Sequence, residues 1–246
     1  MSQHGAVAWD SSLSKWLPTT PGEISPDGRT YVPEDTSNIQ IADARTGAVL
    51  RTIAAGDYNI VVGITSAAIY ATHGGIRAIP GLWRIDASTG VVTQVQASAE
   101  LVEWGIVDGN TMWGTHRNGD GTTTIERIDL STGIITHVLQ PLGQAFVWLL
   151  GFVGTSVFVT LDPDLYTAGV GDIYSAMVVN PDGSVRDVVV PEAIQGKPPR
   201  QALQDGRTIF LSGLDAGLAA YDPDHGLQVL TDGPQNLSFL GPCKRQ

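Results

Sequence analysis

The chain has 246 residues, with 14 Lys and Arg against 25 Asp and Glu and a net charge of −11; this balance repels polyanions and argues against sequence-independent binding to nucleic acid or to an anionic membrane surface. At 42% hydrophobic and 16% charged it carries enough apolar surface for a sizeable core and falls outside the disordered range. Its 29 Gly and 14 Pro punctuate it into many short elements, which favours strands over helices, and all-β units of this length commonly form one domain.

The opening MSQHGAVAWDSSLSKW has no basic region followed by an apolar run, so it does not read as a secretory signal. Residues 6–19, AVAWDSSLSKWLPT, read instead as two outer strands of an incomplete unit, with Asp10 at the turn between them. From there a repeat organises the chain. DARTG (43–47), DASTG (86–90), DLSTG (129–133), the shorter NPDG (180–183) and DPDHG (222–226) recur with their glycines 43, 43, 50 and 43 residues apart. Asp can bond the backbone of the turn that it opens, and Gly accepts the positive φ that closes a tight hairpin. Strand-like runs flank each motif: IQIAD, LWRID, IERID and LAAYD before, AVLRTI, VVTQVQ, IITHVL, VRDVVV and LQVL after.

Upstream of each pair a second hairpin leads into an apolar-aromatic step, Tyr31-Val32, Ile69-Tyr70, Met112-Trp113, Val157-Phe158 and Ile209-Phe210, whose large side chains suit packing between neighbouring sheets. Each unit is thus four short antiparallel strands, and such sheets arranged radially make a β-propeller. The expected fold is all-β, a single propeller domain over 1–246, with five full units at about 20–53, 58–96, 100–140, 144–190 and 198–231. A partial sixth blade is expected from 6–19 and the C-terminal strand 237–243, closed by both termini. The uncharged run 138–161 reaches the length of a membrane helix, but Gly143, Gly151 and Gly154 interrupt it and the repeat divides it into two strands, so no transmembrane segment is expected. The lone Cys243 cannot form an internal disulfide.

The first unit, ISPDGRTYVPEDTSNIQIADARTGAVLRTI, resembles bacterial propeller repeats of the TolB-like and YVTN-like kinds, and the resemblance extends through the spaced repeats over nearly the whole chain. It implies the fold and says little about activity. More loosely, WLPTTPGEISPDGRTYV, ATHGG with GLWRID, MWGTH and the final GPC are similar to uncharacterised secreted or lipid-anchored propeller proteins of soil bacteria. That similarity implies a cell-envelope or secreted location and a leader ahead of Met1. Because the chain starts directly in a blade, a truncated reading frame is expected.

Propellers bind ligands where loops from several blades meet. The loops after the second strands are polar and acidic: PEDTSN (33–38), THGGIRAIPG (72–81), THRNGDGTT (115–123), LDPDLYTAGVGD (161–172) and SGLDAG (212–217). Asp35, His73 and His116 stand at equivalent positions, with Asp162 one residue further on. Two imidazoles and two carboxylates around one rim would suit Zn²⁺ or a related divalent cation, although repeats also reproduce loop residues without using them. Asp162, Asp164 and Asp172 could hold Ca²⁺ through oxygen ligands, but their spacing is not that of an EF-hand.

No G-x-S-x-G, H-E-x-x-H, P-loop or dinucleotide fingerprint occurs in the sequence. Glu23 and Glu103, near inner strands, could face a channel as an acid/base pair. Trp104 and Trp148 read as packing between blades. The leading functional reading is a non-enzymatic, monomeric binding propeller whose acidic loop mouth meets a protein, peptide or small ligand, with no cofactor required. Two alternatives stand beside it: a hydrolase or lyase with a rim metal, and a structural fragment of a longer envelope protein.

Overall fold

The turns that join third and fourth strands show why the repeat folds as it does. In a computed structural model of the chain, the Asp opening each turn accepts backbone N–H groups on Oδ1. Asp43 takes Thr46 N at 2.7 Å, Asp86 takes Ser88 N at 3.0 Å and Thr89 N at 2.8 Å, and Asp129 takes Ser131 N at 2.8 Å and Thr132 N at 3.0 Å. Gly47, Gly90 and Gly133 then donate their N–H to the carbonyl of the same Asp, each at 2.8 Å, with φ of 70°, 77° and 71°. In NPDG the acceptor is Asp182, which receives Ser184 N at 2.9 Å.

The structure describes residues 6–10, 15–19, 22–25, 29–33, 38–43, 46–54, 60–65, 67–72, 81–96, 102–139, 142, 146–162, 174–195, 199, 201–212 and 218–231. A hairpin of β1 (Ala6–Asp10) and β2 (Lys15–Thr19) forms a two-stranded antiparallel sheet with Trp9 opposite Trp16. Five four-stranded sheets follow. Sheet 1 is β3 (Gly22–Ile24), β4 (Thr30–Pro33), β5 (Ile39–Asp43) and β6 (Val49–Ile53). Sheet 2 is β7 (Ile60–Ile64), β8 (Ala68–Thr72), β9 (Leu82–Asp86) and β10 (Val92–Gln96). Sheet 3 is β11 (Val102–Asp108), β12 (Thr111–Arg117), β13 (Thr123–Asp129) and β14 (Ile135–Leu139).

Sheet 4 is β15 (Phe146–Val153), β16 (Ser156–Asp162), β17 (Ser175–Val179) and β18 (Val185–Val188), followed by one 3-10 turn, Glu192–Ile194. Sheet 5 is β19 (Gln201–Asp205), β20 (Thr208–Ser212), β21 (Leu218–Asp222) and β22 (Gly226–Thr231). In every sheet the strands pair in chain order. The uncharged run 138–161 supplies β15 and most of β16, and no helix among the described residues is long and apolar enough to cross a membrane. Segment 237–243, expected as an innermost strand, lies outside the described residues.

The chain divides into two compact units, Met1–Met112 with Asp129–Ile134, and Trp113–Ile128 with Ile135–Gln246. In the first, β7 neighbours both β3 and β11; in the second, β15 neighbours β19. First strands therefore meet first strands, which makes them the innermost strands of their sheets. Val32, Ile39, Ile53, Ile64, Ile69, Ala71 and Ile85 form one buried cluster of the first unit. Arg51 of β6 reaches the following turn and donates to the carbonyls of Ala87 and Ser88. In the second unit Phe158 stacks on Tyr221 with ring centroids 4.5 Å apart, a contact worth about 0.5–1.5 kcal/mol beyond its buried area. Of the aromatic steps, Val32, Ile69, Tyr70, Met112, Trp113, Val157, Phe158 and Ile209 are buried core, while Tyr31 and Phe210 are half-buried.

Glycines set how closely sheets approach. A Cβ on Gly63 would lie 2.6 Å from Val107 Cγ1, and one on Gly151 would lie 2.8 Å from Ile209 Cδ1. Both residues mark β-bulges in innermost strands, where a missing side chain admits the neighbouring sheet.

Candidate functional site

Because each sheet is an up-and-down antiparallel meander, the loops after the second strands leave one end of the sheet and the Asp-Gly turns leave the other. Two of the expected rim residues fall on described second strands. His116 stands one residue before the end of β12, and Asp162 closes β16. Asp162 is buried and pairs across the ladder with Phe146. The Arg117 guanidinium lies 5.1 Å from the centroid of that Phe146 ring, so the loop ends of β12 and β15 meet through a cation–π contact. Asp35, His73, Asp164 and Asp172 lie outside the described residues, as do His4 and Cys243. The side chains of Glu23 and Glu103 fall outside them as well.

His116 has a neighbour that the repeat did not foretell. Its Nδ1 lies 3.4 Å from Oε1 of Glu126, and His137 Nδ1 lies 2.8 Å from the same oxygen. Glu126 is 1% exposed at the centre of β13, directly opposite His137 in β14 and beside a bulge. Proximity does not amount to hydrogen bonding here, since Oε1 of Glu126 is inaccessible to solvent and has no aligned donor. The cluster spans β12, β13 and β14 of one sheet, with His137 at its exposed outer edge. Among the described residues no group of three His, Cys, Asp or Glu is set to hold a metal ion. The signal that could have found Glu126 is its charge: in IERID it occupies the position of the uncharged Gln40 in IQIAD, Trp83 in LWRID and Ala219 in LAAYD.

The described part of the rim carries one further carboxylate. Asp120, in the β12–β13 loop, accepts the Thr122 hydroxyl at 2.7 Å and its N–H at 2.9 Å. These bonds, the hydroxyl foremost, hold its carboxyl below the usual Asp range, so it is charged at neutral pH. Twelve residues separate β16 from β17, against five between β12 and β13, and this difference accounts for the seven extra residues of the fourth repeat.

The remaining candidates are structural. Trp104 is buried, and Trp148 packs on the cluster of Phe158, Tyr174 and Tyr221. His225 is an exposed turn residue with Nδ1 3.1 Å from Asp222 Oδ1.

No protein-family model matches the chain, and no curated protein matches it in sequence. Solved structures do match it in fold. A protein assigned as TolB from Agrobacterium tumefaciens superposes with a TM-score of 0.65 at 15% identity, over 97% of this chain and 94% of that one. The acylaminoacyl peptidase of Pyrococcus horikoshii gives 0.59 at 14% identity, over 89% of this chain and 40% of the peptidase. TolB from Acinetobacter baumannii gives 0.55 at 18% identity, over 89% of this chain and 56% of that one. The fold is therefore an all-β, TolB-like β-propeller, as the repeats and the resemblance predicted. At these identities the likeness concerns fold, and the chain spans about half or less of the last two proteins.

Proposed function

We propose that this propeller is a binding module without catalytic chemistry of its own, which takes a basic segment of a protein or peptide at the loop end of its second strands. The observation that carries the reading is the charge of that end on a propeller scaffold. Asp120 is ionised there, Asp162 closes β16 beneath the longest of these loops, and Glu34, Asp35, Asp164, Asp172 and Asp215 belong to the same loops in sequence. Carboxylates gathered on loops speed the arrival of cationic partners. The TolB structures support the scaffold, while the activity of the peptidase belongs to a protein of which this chain matches 40%.

Three fluorescein-labelled dodecapeptides, one rich in Lys and Arg, one neutral and one rich in Glu, test the reading by anisotropy at low and physiological salt. The basic peptide should bind, weaken as salt rises, and weaken further in the Asp35→Asn/Asp120→Asn/Asp164→Asn/Asp172→Asn variant. Equal binding of basic and acidic peptides, or binding indifferent to both salt and the variant, would overturn it.

A further inference from the structure

Trp148, Thr160 and Tyr174 gather at sheet 4. Trp148 and Thr160 are direct cross-strand partners, Thr160 pairs in turn with Ala176, and Tyr174, one residue ahead of β17, is buried in the same cluster as Ala176. Trp148, Tyr174 and Ala176 belong to one packed cluster with Leu211, Ala219 and Ala202 of sheet 5. Each of the three polar side chains ends in an atom that is closed to solvent and has no hydrogen-bond partner: Trp148 Nε1, Thr160 Oγ1 and Tyr174 OH. They account for three of the four such atoms among the described residues, the fourth being Oε1 of Glu126. Burial pushes the Tyr174 phenol up, with no partner to offset it.

Buried polar groups are as a rule satisfied, and leaving one unmade forfeits its full hydration. Val at 160 and Phe at 174 would fill nearly the same volume without that loss. Three unmet groups gathered at one buried cluster therefore mark a place where a partner belongs.

We propose that this place is a subsite for a small uncharged ligand group that presents a carbonyl or hydroxyl oxygen. The chemistry follows from the donors. An indole N–H can only donate, whereas the Thr and Tyr hydroxyls donate and accept, so the common partner is an acceptor oxygen. The surrounding cluster of Leu150, Phe158 and Leu211 is apolar, and a full charge placed there would lose its water without an ion to pair with. Ala202 and Ala219 of the same cluster occupy little volume. Trp148 alone of the three is partly exposed, which puts the approach along its indole. The subsite does not depend on the acidic rim.

The indole N–H signals of the six tryptophans provide the test, with Trp148 assigned by its loss in Trp148→Phe. The folded protein is titrated with acetamide and ethylene glycol, and with acetate and methylammonium as charged controls. A saturable shift of the Trp148 signal is expected with an uncharged probe and not with the ions. In Thr160→Val and in the isosteric Tyr174→Phe binding should weaken about tenfold, with the other five indole signals unmoved as a check on folding. No saturable shift with either uncharged probe would overturn the proposal and leave internal water as the partner. An unchanged titration in variants whose thermal midpoint rises would also overturn it, because the hydroxyls would then be unmet structural groups.

Discussion

Gly133 separates two demands that a turn glycine can meet. Its φ of 71° lies in the left-handed region, where Ala costs about 1–2 kcal/mol. It also sits against the preceding sheet: a Cβ there would lie 2.6 Å from the carbonyl oxygen of Val95, where ordinary contact is 3.4–4 Å. Backbone cannot swing aside as a side chain does, so the turn must lift from β10, and forced overpacking of this sort costs about 1–3 kcal/mol more. Gly226 closes the equivalent turn of sheet 5 with φ 75° and nothing within 4 Å of its Cβ position. Gly226→Ala should therefore lose about 1–2 kcal/mol, and Gly133→Ala about 2–5 kcal/mol, the conformational and packing costs together. Urea unfolding followed by tryptophan fluorescence measures both, with the m-value as a check that the same transition is compared. Asn sharpens the contrast because it tolerates positive φ: Gly226→Asn should recover most of the loss and Gly133→Asn should not. Equal losses for the two alanines, or full rescue at Gly133 by Asn, would refute the idea that the turn is pinned by its neighbour.

Gly151→Ala should destabilise by about 1–3 kcal/mol through contact with Ile209 Cδ1, and Ile209→Val, which deletes that methyl, should relieve part of it; strictly additive losses in the double-mutant cycle would count against direct contact. Glu126→Leu removes a buried carboxyl whose Oε1 has no aligned donor and should leave the thermal midpoint unchanged or raised; a lowered midpoint would show that the carboxyl stabilises the sheet through His116 and His137. Asp86, Asp129 and Asp222 carry lowered carboxyl pKa values, held down chiefly by the Ser88 hydroxyl, the Ser131 hydroxyl and the Asp224 N–H respectively. A lowered folded pKa means that the unfolded chain binds protons first, so their contribution is complete above the ordinary Asp value of 3.8 and disappears as pH falls towards the folded values. Urea midpoints from pH 6 to pH 3 should thus drop steeply below about pH 4, and less steeply in the triple Asp→Asn variant; parallel curves would contradict this.

The fold was legible because its local chemistry is repeated. Asp at the opening of a turn and Gly at its close serve the same hairpin in four of the five repeats, and Asn180 with Gly183 serves it in the other, so they recur and announce where two strands meet. The interlocking of sheets was less visible, although its residues were present. Gly63 and Gly151 occupy one register of the innermost strand, in IVVGI and WLLGF, but a glycine inside a strand reads first as a weak strand. Only the distance to Val107 or Ile209 shows that the missing Cβ makes room for the next sheet.

The site behaved in the opposite way. Searching equivalent loop positions led to His116 and Asp162, since symmetry points to residues that the repeat copies, and it did not lead to Glu126, Thr160 or Tyr174. Glu126 puts a charge where its sister strands carry Gln40, Trp83 or Ala219, and His137 faces it only because antiparallel pairing sets those two residues opposite each other. Thr160 and Tyr174 likewise become notable through burial without a partner, a property that no residue type carries by itself. In a repeat protein the residues that keep the period hold the blades together, because every blade must meet the same neighbour. A ligand is met once, so the groups that meet it are to be sought among the departures.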